Sequence, residues 1–362
     1  MLVSLSLSDA CGPSTMPATD SYVVDFPTLG DVIDPWISAH CSIPDGFDQG
    51  KPYVQVDWQF WCTAKHYEVR PTAKWQPKKP MRNQAFRYRR SQIIGPQKSG
   101  KGPQGAVTTC VEAVGPSLFA GWAGKDDGYS CADYGCGCGF EHAYMPGEPM
   151  GMPHPSPLIQ LTATSEEQVD NVYRPLRTMI KNGPLGDVML IREGFIRLPG
   201  DDNRIDRVTA SADSRLGNPV SFVLNDESGL YTKSNKLIKV AETQRRGLAG
   251  MQGRGIEYSN MWDPSINSYA QRTYESTSKD VFKFLRKPPA GLSWGNRRER
   301  RQILKHVYAG CTWIDLNSIE AEIAELMETD PAQAKRFYGN YEETGQGAWL
   351  PDNLWESCYA AG

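Results

Sequence analysis

A glycine- and lysine-rich stretch, GPQKSGKG from Gly95 to Gly102, has the residue types and spacing of a phosphate-binding loop. Gly95, Gly100 and Lys101 fit the pattern G-x-x-x-x-G-K. In such a loop, backbone N–H groups at the start of a helix point at the anion, and the lysine adds a full positive charge. The other residues expected to line the loop are Pro96, Gln97, Lys98 and Ser99.

One position departs from this pattern. Gly102 stands where a hydroxyl residue usually ligates Mg²⁺, and Pro103 follows it. A surface turn rich in glycine and lysine is therefore the alternative interpretation. If the loop does hold a nucleotide, Mg²⁺ must depend more on a carboxylate, on the phosphates and on water, since this ion keeps several waters in most sites.

A pair of acids, Asp226 and Glu227, directly follows the apolar run at 220–224 and Asn225. A continuous apolar run is typical of a buried parallel strand, and ligands bind at the carboxyl edge of parallel sheets. One carboxylate there can hold Mg²⁺, and the next can polarise the water that attacks a γ-phosphate. Together with Lys101, the pair predicts a nucleoside triphosphatase.

The elements that must position these groups alternate between strand and helix, which favours a three-layer α/β domain. Strands are predicted at 92–94, 117–123, 158–164, 188–192, 195–198, 208–211, 220–224 and 255–259. Helices are predicted at 29–38, 53–69, 106–113, 165–180, 235–250 and 267–286, and beyond the break at 287–291 at 296–308, 317–327 and from 331. Ser165 opens the fourth of these helices with a capping box.

Three regions are expected from the composition along the chain. An irregular N-terminal arm covers 1–52, an α/β domain covers 53–286, and a helical region covers 287–362. The segment 124–157 is dense in Gly, Pro and Cys and has no hydrophobic period, so we expect a surface insertion within the second region.

Overall charge and hydropathy exclude some classes of protein. Lys and Arg number 39 against 42 Asp and Glu, so the net charge of −3 gives no global field for nucleic acid. A local basic segment at 74–90 is either a solvated face or a phosphate contact. No apolar run approaches the ~20 residues that span a bilayer, and the N-terminus lacks the basic region of a signal peptide. Nine cysteines, an odd count, favour reduced thiols in a cytosolic compartment.

The insertion carries a second kind of candidate site. Cys131, Cys136, Cys138 and His142 offer three thiols and an imidazole, the donor set of a tetrahedral Zn²⁺ site. Their spacing, C-x4-C-x-C-x3-H, matches no standard zinc finger, and Cys110 or His154 is an alternative ligand. Adventitious cysteines in a loop are the other interpretation.

Several stretches together resemble the ATPase half of the large terminase subunit of tailed phages, in an actinophage-like form. This subunit is the motor that pumps DNA into capsids. The stretches are 95–103, 158–168, 211–217 leading into 225–227, 258–260 with 271–275, and 334–340. The resemblance covers nearly the whole chain from Tyr53 onward.

The resemblance implies a RecA-like P-loop fold of the additional-strand (ASCE) class, with an irregular N-terminal arm and a helical C-terminal linker. It also implies roles for individual residues. Lys101 would bind the β- and γ-phosphates of ATP, Asp226 would hold Mg²⁺, and Glu227 would be the catalytic carboxylate.

Three further residues match the family's nucleotide-sensing positions. Gln59 would read adenine, although a buried, tryptophan-rich helix explains it equally well. Ser259 and Asn260, at the end of a strand, would form the coupling motif that senses the γ-phosphate. A polar strand end is the ordinary alternative for those two.

The resemblance also implies assembly. Arg215 would be an arginine finger that reaches a neighbouring subunit in a homo-oligomeric ring, with Arg204 and Arg207 as rivals for that role; a planar, permanently charged guanidinium suits it. The implied partners are double-stranded DNA gripped without regard to sequence, the portal of the procapsid and the small terminase subunit. The implied location is the host cytoplasm, transiently at the portal, with no membrane contact.

Large terminases usually carry a second, nuclease domain of ribonuclease-H type, which needs clustered carboxylates for two metals. Acids at 320, 322 and 325 have the helical spacing of a solvated face, and the chain stops at Gly362. The expectation is therefore an ATPase without DNA cleavage. The alternatives are another nucleic-acid-dependent P-loop ATPase or helicase-like protein, and a non-catalytic nucleic-acid-binding module. The module would use 74–90 and the arginines at 297, 298, 300 and 301.

Overall fold

The computed structural model describes residues 22–78, 83–209 and 218–345. Its centre is a sheet built from β1 (Arg90–Ile94), β6 (Leu158–Thr162), β7 (Leu190–Ile191), β8 (Phe195–Arg197), β9 (Arg204–Val208), β10 (Phe222–Asn225), β11 (Arg254–Ser259) and β12 (Val281–Leu285). The strand order is β12–β1–β11–β10–β6–β9–β8–β7. The strands from β12 to β9 are all parallel, whereas the β7–β8 hairpin adds an antiparallel edge.

Helices cover both faces of this sheet, which explains why β10 is buried along its whole length. The helices are α1 (Gly30–His40), α2 (Asp57–His66), α3 (Lys101–Val114), α4 (Glu166–Asn182), α5 (Leu237–Met251), α6 (Tyr269–Glu275), α7 (Arg297–Val307), α8 (Leu316–Thr329) and α9 (Pro331–Gly339). One large apolar core joins α1 to α4 with one face of the sheet. Two smaller cores pack α5 and α6 against the other face. The result is the predicted three-layer α/β architecture.

Local sequence patterns predicted several helices and their boundaries correctly. The Ser165 hydroxyl accepts a hydrogen bond from the Gln168 amide at 3.2 Å, which caps α4 as the sequence predicted. The helices α7, α8 and α9 follow the break at 287–291 and share a core of their own around Ile303, Leu304 and Ile323.

No helix in the described ranges is long and apolar enough to cross a bilayer.

The predicted helix at 267–286 is wrong over its second half. The helix α6 ends at Glu275, and residues 281–285 form β12, the edge strand beside β1. The sequence VFKFL is rich in β-branched and aromatic residues, and four of its five residues are buried. Pairing with β1 therefore decides the conformation. The strand predicted at 208–211 lies instead at 204–208, as β9.

The insertion at 124–157 forms small sheets outside the central one. Within it, β3 (Gly128–Ser130) pairs with β4 (Glu141–Ala143), and β5 (Pro149–Met152) pairs with β2 (Leu118–Trp122), which directly precedes the insertion; both pairs are antiparallel. The strand predicted at 117–123 thus exists, but it pairs with a strand of the insertion and not with the central sheet.

A buried polar cluster joins β11 to the helices of one face. The Arg254 guanidinium donates to the His66 carbonyl at 2.6 Å and to the Glu112 carboxylate at 3.0 Å. The Tyr67 hydroxyl also donates to Glu112, at 2.7 Å. Burial pushes the pKa of Glu112 upward, but Arg254 and the hydrogen bonds more than offset it, so the pKa is lowered overall. A fully paired buried charge of this kind fixes β11 against α2 and α3.

Candidate active site

The glycine-rich loop connects β1 to α3, so strand, loop and helix follow one another in the order a phosphate loop requires. Two residues of the loop have left-handed backbone, Lys98 at φ +66° and Gly100 at φ +90°. They turn the chain back toward the first turn of α3. The Ser99 hydroxyl donates to the Pro96 carbonyl at 2.7 Å and fixes the turn from inside.

Lys101 is the first residue of α3, and its side chain is buried. The Nζ atom donates to the Gly95 carbonyl at 2.9 Å, the Pro96 carbonyl at 2.7 Å and Oδ1 of Asn260 at 2.8 Å. Burial lowers the pKa of Lys101 to about 8, although the nearby Glu227 and Asp226 carboxylates oppose the shift. The amine therefore lies within electrostatic reach of the acidic pair.

The acidic pair follows β10 at the same edge of the sheet as the loop. Asp226 is buried, and its backbone N–H donates to the Thr162 carbonyl at 2.8 Å. Burial and the neighbouring Glu227 charge raise the pKa of Asp226 to about 7, with Lys101 acting in the opposite direction. Glu227 has φ +56°, a left-handed backbone that is costly for a residue with a side chain. Backbone strain of this kind is concentrated at functional sites.

Ser259 and Asn260 connect these two parts of the site. The strand β11 lies between β1 and β10, and its end carries both residues. Oδ1 of Asn260 accepts from Lys101, while the Ser259 hydroxyl oxygen accepts from the N–H of Gly229 at 3.0 Å, two residues after Glu227. Because Ser259 and Asn260 are adjacent residues, these two hydrogen bonds link the loop lysine to the acidic turn.

The absence of a hydroxyl residue at 102 has a packing cause. A Cβ atom on Gly102 would lie 2.6 Å from the carbonyl oxygen of Asn171 in α4. That oxygen belongs to the backbone of a packed helix and cannot rotate away. The close approach of α3 and α4 thus excludes the usual Mg²⁺-ligating side chain.

The side chain of Gln59 has partners within its own segment. Its amide nitrogen donates to the Tyr53 hydroxyl at 2.9 Å, and its Oε1 accepts from the Val56 N–H at 3.2 Å at the start of α2. The Gln59 carbonyl contacts Gln104 of α3 at 3.4 Å. The structure thus brings Gln59 beside the first turns of α3, with its amide capping α2.

The C-terminal helices contact the loop directly, which the sequence did not reveal. The Tyr308 hydroxyl, at the end of α7, donates to the Gln97 carbonyl at 2.8 Å. The Trp313 indole N–H donates to the Lys98 carbonyl at 3.2 Å, and a Cβ on Gly100 would lie 2.6 Å from its ring. No local signal marks these residues, because the loop and the helices are more than 200 residues apart in the chain.

Of the three arginines considered for the arginine finger, Arg215 lies outside the described residues. Its rivals are on β9: Arg204 pairs with Asp206 at 3.0 Å, and Arg207 lies over the Tyr173 ring at 5.0 Å. In the basic segment, Arg87 pairs with Glu68 and Arg89 with Asp280, each at 3.0 Å. These ion pairs favour the solvated-face interpretation at those two arginines.

The cysteine cluster differs from its prediction by one ligand. Cys131, Cys136 and Cys138 converge, and the imidazole among them belongs to His40 of α1. His142, the histidine that the sequence pattern suggested, is not in this group. It lies on β4 opposite Tyr129 in the register of the β3–β4 hairpin, where its ring packs edge-on against Tyr144.

Comparison with known proteins supports the fold. No protein-family model matches the chain. The Gene 13 protein of Mycobacterium phage D29 is 24% identical over 273 residues, covering 66% of this chain and 45% of the relative. The Gene 13 protein of Mycobacterium phage L5 is 24% identical over 388 aligned positions, covering 96% of this chain and 61% of the relative. The chain thus spans about half to three fifths of these curated relatives.

Among solved structures, the crystal structure of the HK97 bacteriophage large terminase matches with a TM-score of 0.60. The identity is 14%, and the match covers 87% of this chain and 55% of the HK97 chain. The predicted resemblance to large terminases is confirmed at the level of the fold, and with it the RecA-like α/β class.

Restoring the hydroxyl residue of the loop tests its packing. Gly102→Ser is expected to destabilise the protein by about 1–3 kcal/mol, because the new side chain meets the Asn171 carbonyl. Urea unfolding measures the change. The matched control is Gly250→Ser on α5, where a Cβ meets nothing within 4 Å, and it should be neutral or slightly stabilising. Equal stability of the two variants would contradict the packing account.

The raised pKa of the buried Asp226 carboxyl makes the stability of the protein depend on pH. The pKa of Asp226 is raised to about 7 from 3.8, so the protonated form is favoured and this group lowers stability as pH rises toward and through 7. Asp226→Asn removes that titration. Its melting temperature minus that of the wild type should increase between about pH 5 and pH 8, reaching about 2 °C or more. Asp187→Asn, at an exposed position, is the control and should show no such trend. A flat difference for Asp226→Asn would refute the shift.

Proposed function

We propose that this chain is the ATPase motor part of a phage large terminase, which hydrolyses ATP to move double-stranded DNA into a procapsid. The observation that carries the proposal is the placement of Lys101, Asn260 and the acids at 226 and 227 at one edge of the sheet, joined across β11. The fold match to the HK97 large terminase supports it. The chain spans about half to three fifths of its curated relatives, so the proposal does not extend to what their remaining parts do.

In this proposal Lys101 binds the β- and γ-phosphates. Its amine is pre-positioned at the mouth of the loop, where it donates to two loop carbonyls and to Asn260. A phosphate oxygen is a stronger acceptor than a carbonyl for an ammonium donor, because the hydrogen bond is then charge-assisted at both ends. The anion also stabilises the charged form of a lysine whose pKa burial lowers to about 8.

Asp226 and Glu227 divide the remaining chemistry. A carboxylate oxygen is the donor Mg²⁺ prefers, so Asp226 is the residue that would hold the ion, which supplies charge neutralisation at the phosphates. The exclusion of a hydroxyl ligand at 102 makes this carboxylate more important. Glu227 is less buried and projects from a left-handed turn, and it is assigned to polarise the attacking water.

The hydrogen bonds of Asn260 and Ser259, at the end of β11, can couple phosphate binding at Lys101 to the acidic turn. When Lys101 exchanges Asn260 for phosphate, the Asn260 side chain loses its partner. The hydroxyl oxygen of Ser259, the preceding residue, accepts from the Gly229 N–H beside the catalytic turn. Binding of phosphate at Lys101 can thereby change the position of Glu227, the residue assigned to polarise water. Gln59, which caps α2 beside α3, is assigned to the adenine end of the nucleotide.

A basic groove supports the DNA part of the proposal. It lies between α7 and α8, has a volume of about 880 Å³, and includes Arg297, Arg298, Arg300, Arg301 and Lys305 in its lining. Such residues contact phosphates without reading sequence. Tyr308, which contacts the nucleotide loop, caps the same helix α7. Movement of α7 would therefore couple the groove to the ATP site.

The remaining assignments follow the resemblance. Arg215 would complete the site of a neighbouring subunit in a ring, and the portal, the procapsid and the small terminase subunit are the proposed partners. The host cytoplasm is the proposed location. A helicase-like ATPase would share the nucleotide site, whereas a non-catalytic nucleic-acid-binding module would have no need of Glu227.

Replacement of the catalytic carboxylate tests the proposal. Glu227→Gln should lower DNA-stimulated ATP hydrolysis by about 100-fold or more, since the amide cannot accept a proton. ATP binding, measured with a fluorescent analogue, should remain, because Lys101 and the loop are unchanged. Glu193→Gln, an isosteric change at an exposed acid, is the matched control and should keep full turnover. Undiminished hydrolysis by Glu227→Gln would remove Glu227 from the mechanism. A wild type that binds DNA without hydrolysing ATP would favour the non-catalytic module.

A further inference from the structure

Four side chains, one from α1 and three from the insertion, meet in one place. The Nε2 atom of His40 lies 3.4 Å from the sulfur of Cys131, 3.8 Å from that of Cys136 and 3.0 Å from that of Cys138. All four donor atoms lie within 4.8 Å of one another. His40 and Cys131 are 91 residues apart in the chain, so the fold brings this group together.

The orientation of the imidazole is determined by a backbone contact. Nδ1 of His40 lies 2.8 Å from the carbonyl oxygen of Trp36, one turn earlier in α1. A carbonyl oxygen only accepts, so Nδ1 carries the proton and Nε2 presents a lone pair to the sulfurs. This is the arrangement that holds metal-ligating histidines in the correct tautomer. The Trp36 ring stacks on the imidazole at 4.2 Å between centroids and keeps it in place.

Hydrogen bonding among thiols does not account for the cluster. A neutral imidazole nitrogen has one lone pair and accepts one good hydrogen bond, yet three sulfurs surround Nε2. A tetrahedral Zn²⁺ site, with Zn–S of about 2.3 Å and Zn–N of about 2.0–2.1 Å, separates nitrogen from sulfur by about 3.6 Å. The three observed separations, 3.0, 3.4 and 3.8 Å, bracket that value.

The chain around the cysteines has the turns that such a site requires. Gly135 and Gly139 have φ of +81° and +77°, which lets the backbone reverse next to Cys136 and Cys138. The N–H of Phe140 donates to the Cys138 sulfur at 3.4 Å, a contact that stabilises a thiolate. Cys131 is buried, and the other two sulfurs are partly buried.

We propose that His40, Cys131, Cys136 and Cys138 bind one Zn²⁺ ion, with three thiol protons released to solvent. Soft thiolates and an imidazole select zinc over Mg²⁺. A site closed by four protein ligands is structural, with no open position for catalysis. It fastens the insertion to the C-terminal end of α1. The adjoining part of α1 packs closely against the end of α3, because a Cβ atom on Gly115 would lie 3.3 Å from the Trp36 ring. The proposal is independent of ATP hydrolysis.

The test begins with metal analysis of the purified chain by mass spectrometry. The wild type should contain one zinc per chain after dialysis without chelator. Cys138→Ser and His40→Ala should lose it. The matched controls His142→Ala and His154→Ala should keep it, although the cysteine spacing alone favours His142 as a ligand. Retention by His40→Ala with loss by His142→Ala would overturn the ligand set.

A second measurement uses the wild type alone, in case the variants fail to fold. Thiol titration with a disulfide reagent should count three more reactive cysteines after a strong chelator is added, and the melting temperature should fall. Replacement of zinc by Co²⁺ should give the visible bands of tetrahedral cobalt with thiolate ligands. Absence of bound metal, or an unchanged thiol count after chelation, would refute the site.

Discussion

The hydrogen bond between Lys101 and Asn260 links the two halves of the candidate site, and it depends on where β11 lies. Because β11 is inserted between β1 and β10, its end carries Asn260 to the loop and Ser259 to the turn after the acids. If β1 and β10 were neighbours, the lysine and the acids would have no residue between them to relay a change. The buried contact of Arg254 with Glu112 fixes the other end of β11 and so preserves this alignment.

The site is held at a cost in stability. A lysine with a lowered pKa, a carboxyl with a raised pKa and a left-handed glutamate each disfavour folding when considered alone. Close packing around them offsets that cost: α4 touches α3 at Gly102, and Trp313 covers the loop at Gly100. Functional sites in other folds show the same balance, in which strained and desolvated groups persist because the surrounding structure over-determines them.

Local signals in the sequence were enough to locate the glycine-rich loop between a strand and a helix, the strand that precedes the acids, and the cap of α4, because each depends on neighbouring residues. Features that depend on distant pairing were missed or misassigned. The second half of the helix predicted at 267–286 is a strand because β1 offers it a partner. His40 replaces His142 at the cysteine cluster because α1 packs against the insertion. Trp313 reaches the loop from the connection between α7 and α8. The missing hydroxyl at 102 could be read from the sequence, but its cause, the Asn171 carbonyl, required the packing of two helices.

The most direct test of the central claim is a crystal structure of this chain with a non-hydrolysable ATP analogue and Mg²⁺. The account predicts that Nζ of Lys101 leaves Oδ1 of Asn260 for the β- and γ-phosphates. It also predicts that the metal lies on the Asp226 carboxylate with Glu227 facing the γ-phosphate. A nucleotide bound at another edge of the sheet, or a triphosphate that contacts Lys101 while the acids at 226 and 227 face away from it, would contradict the account.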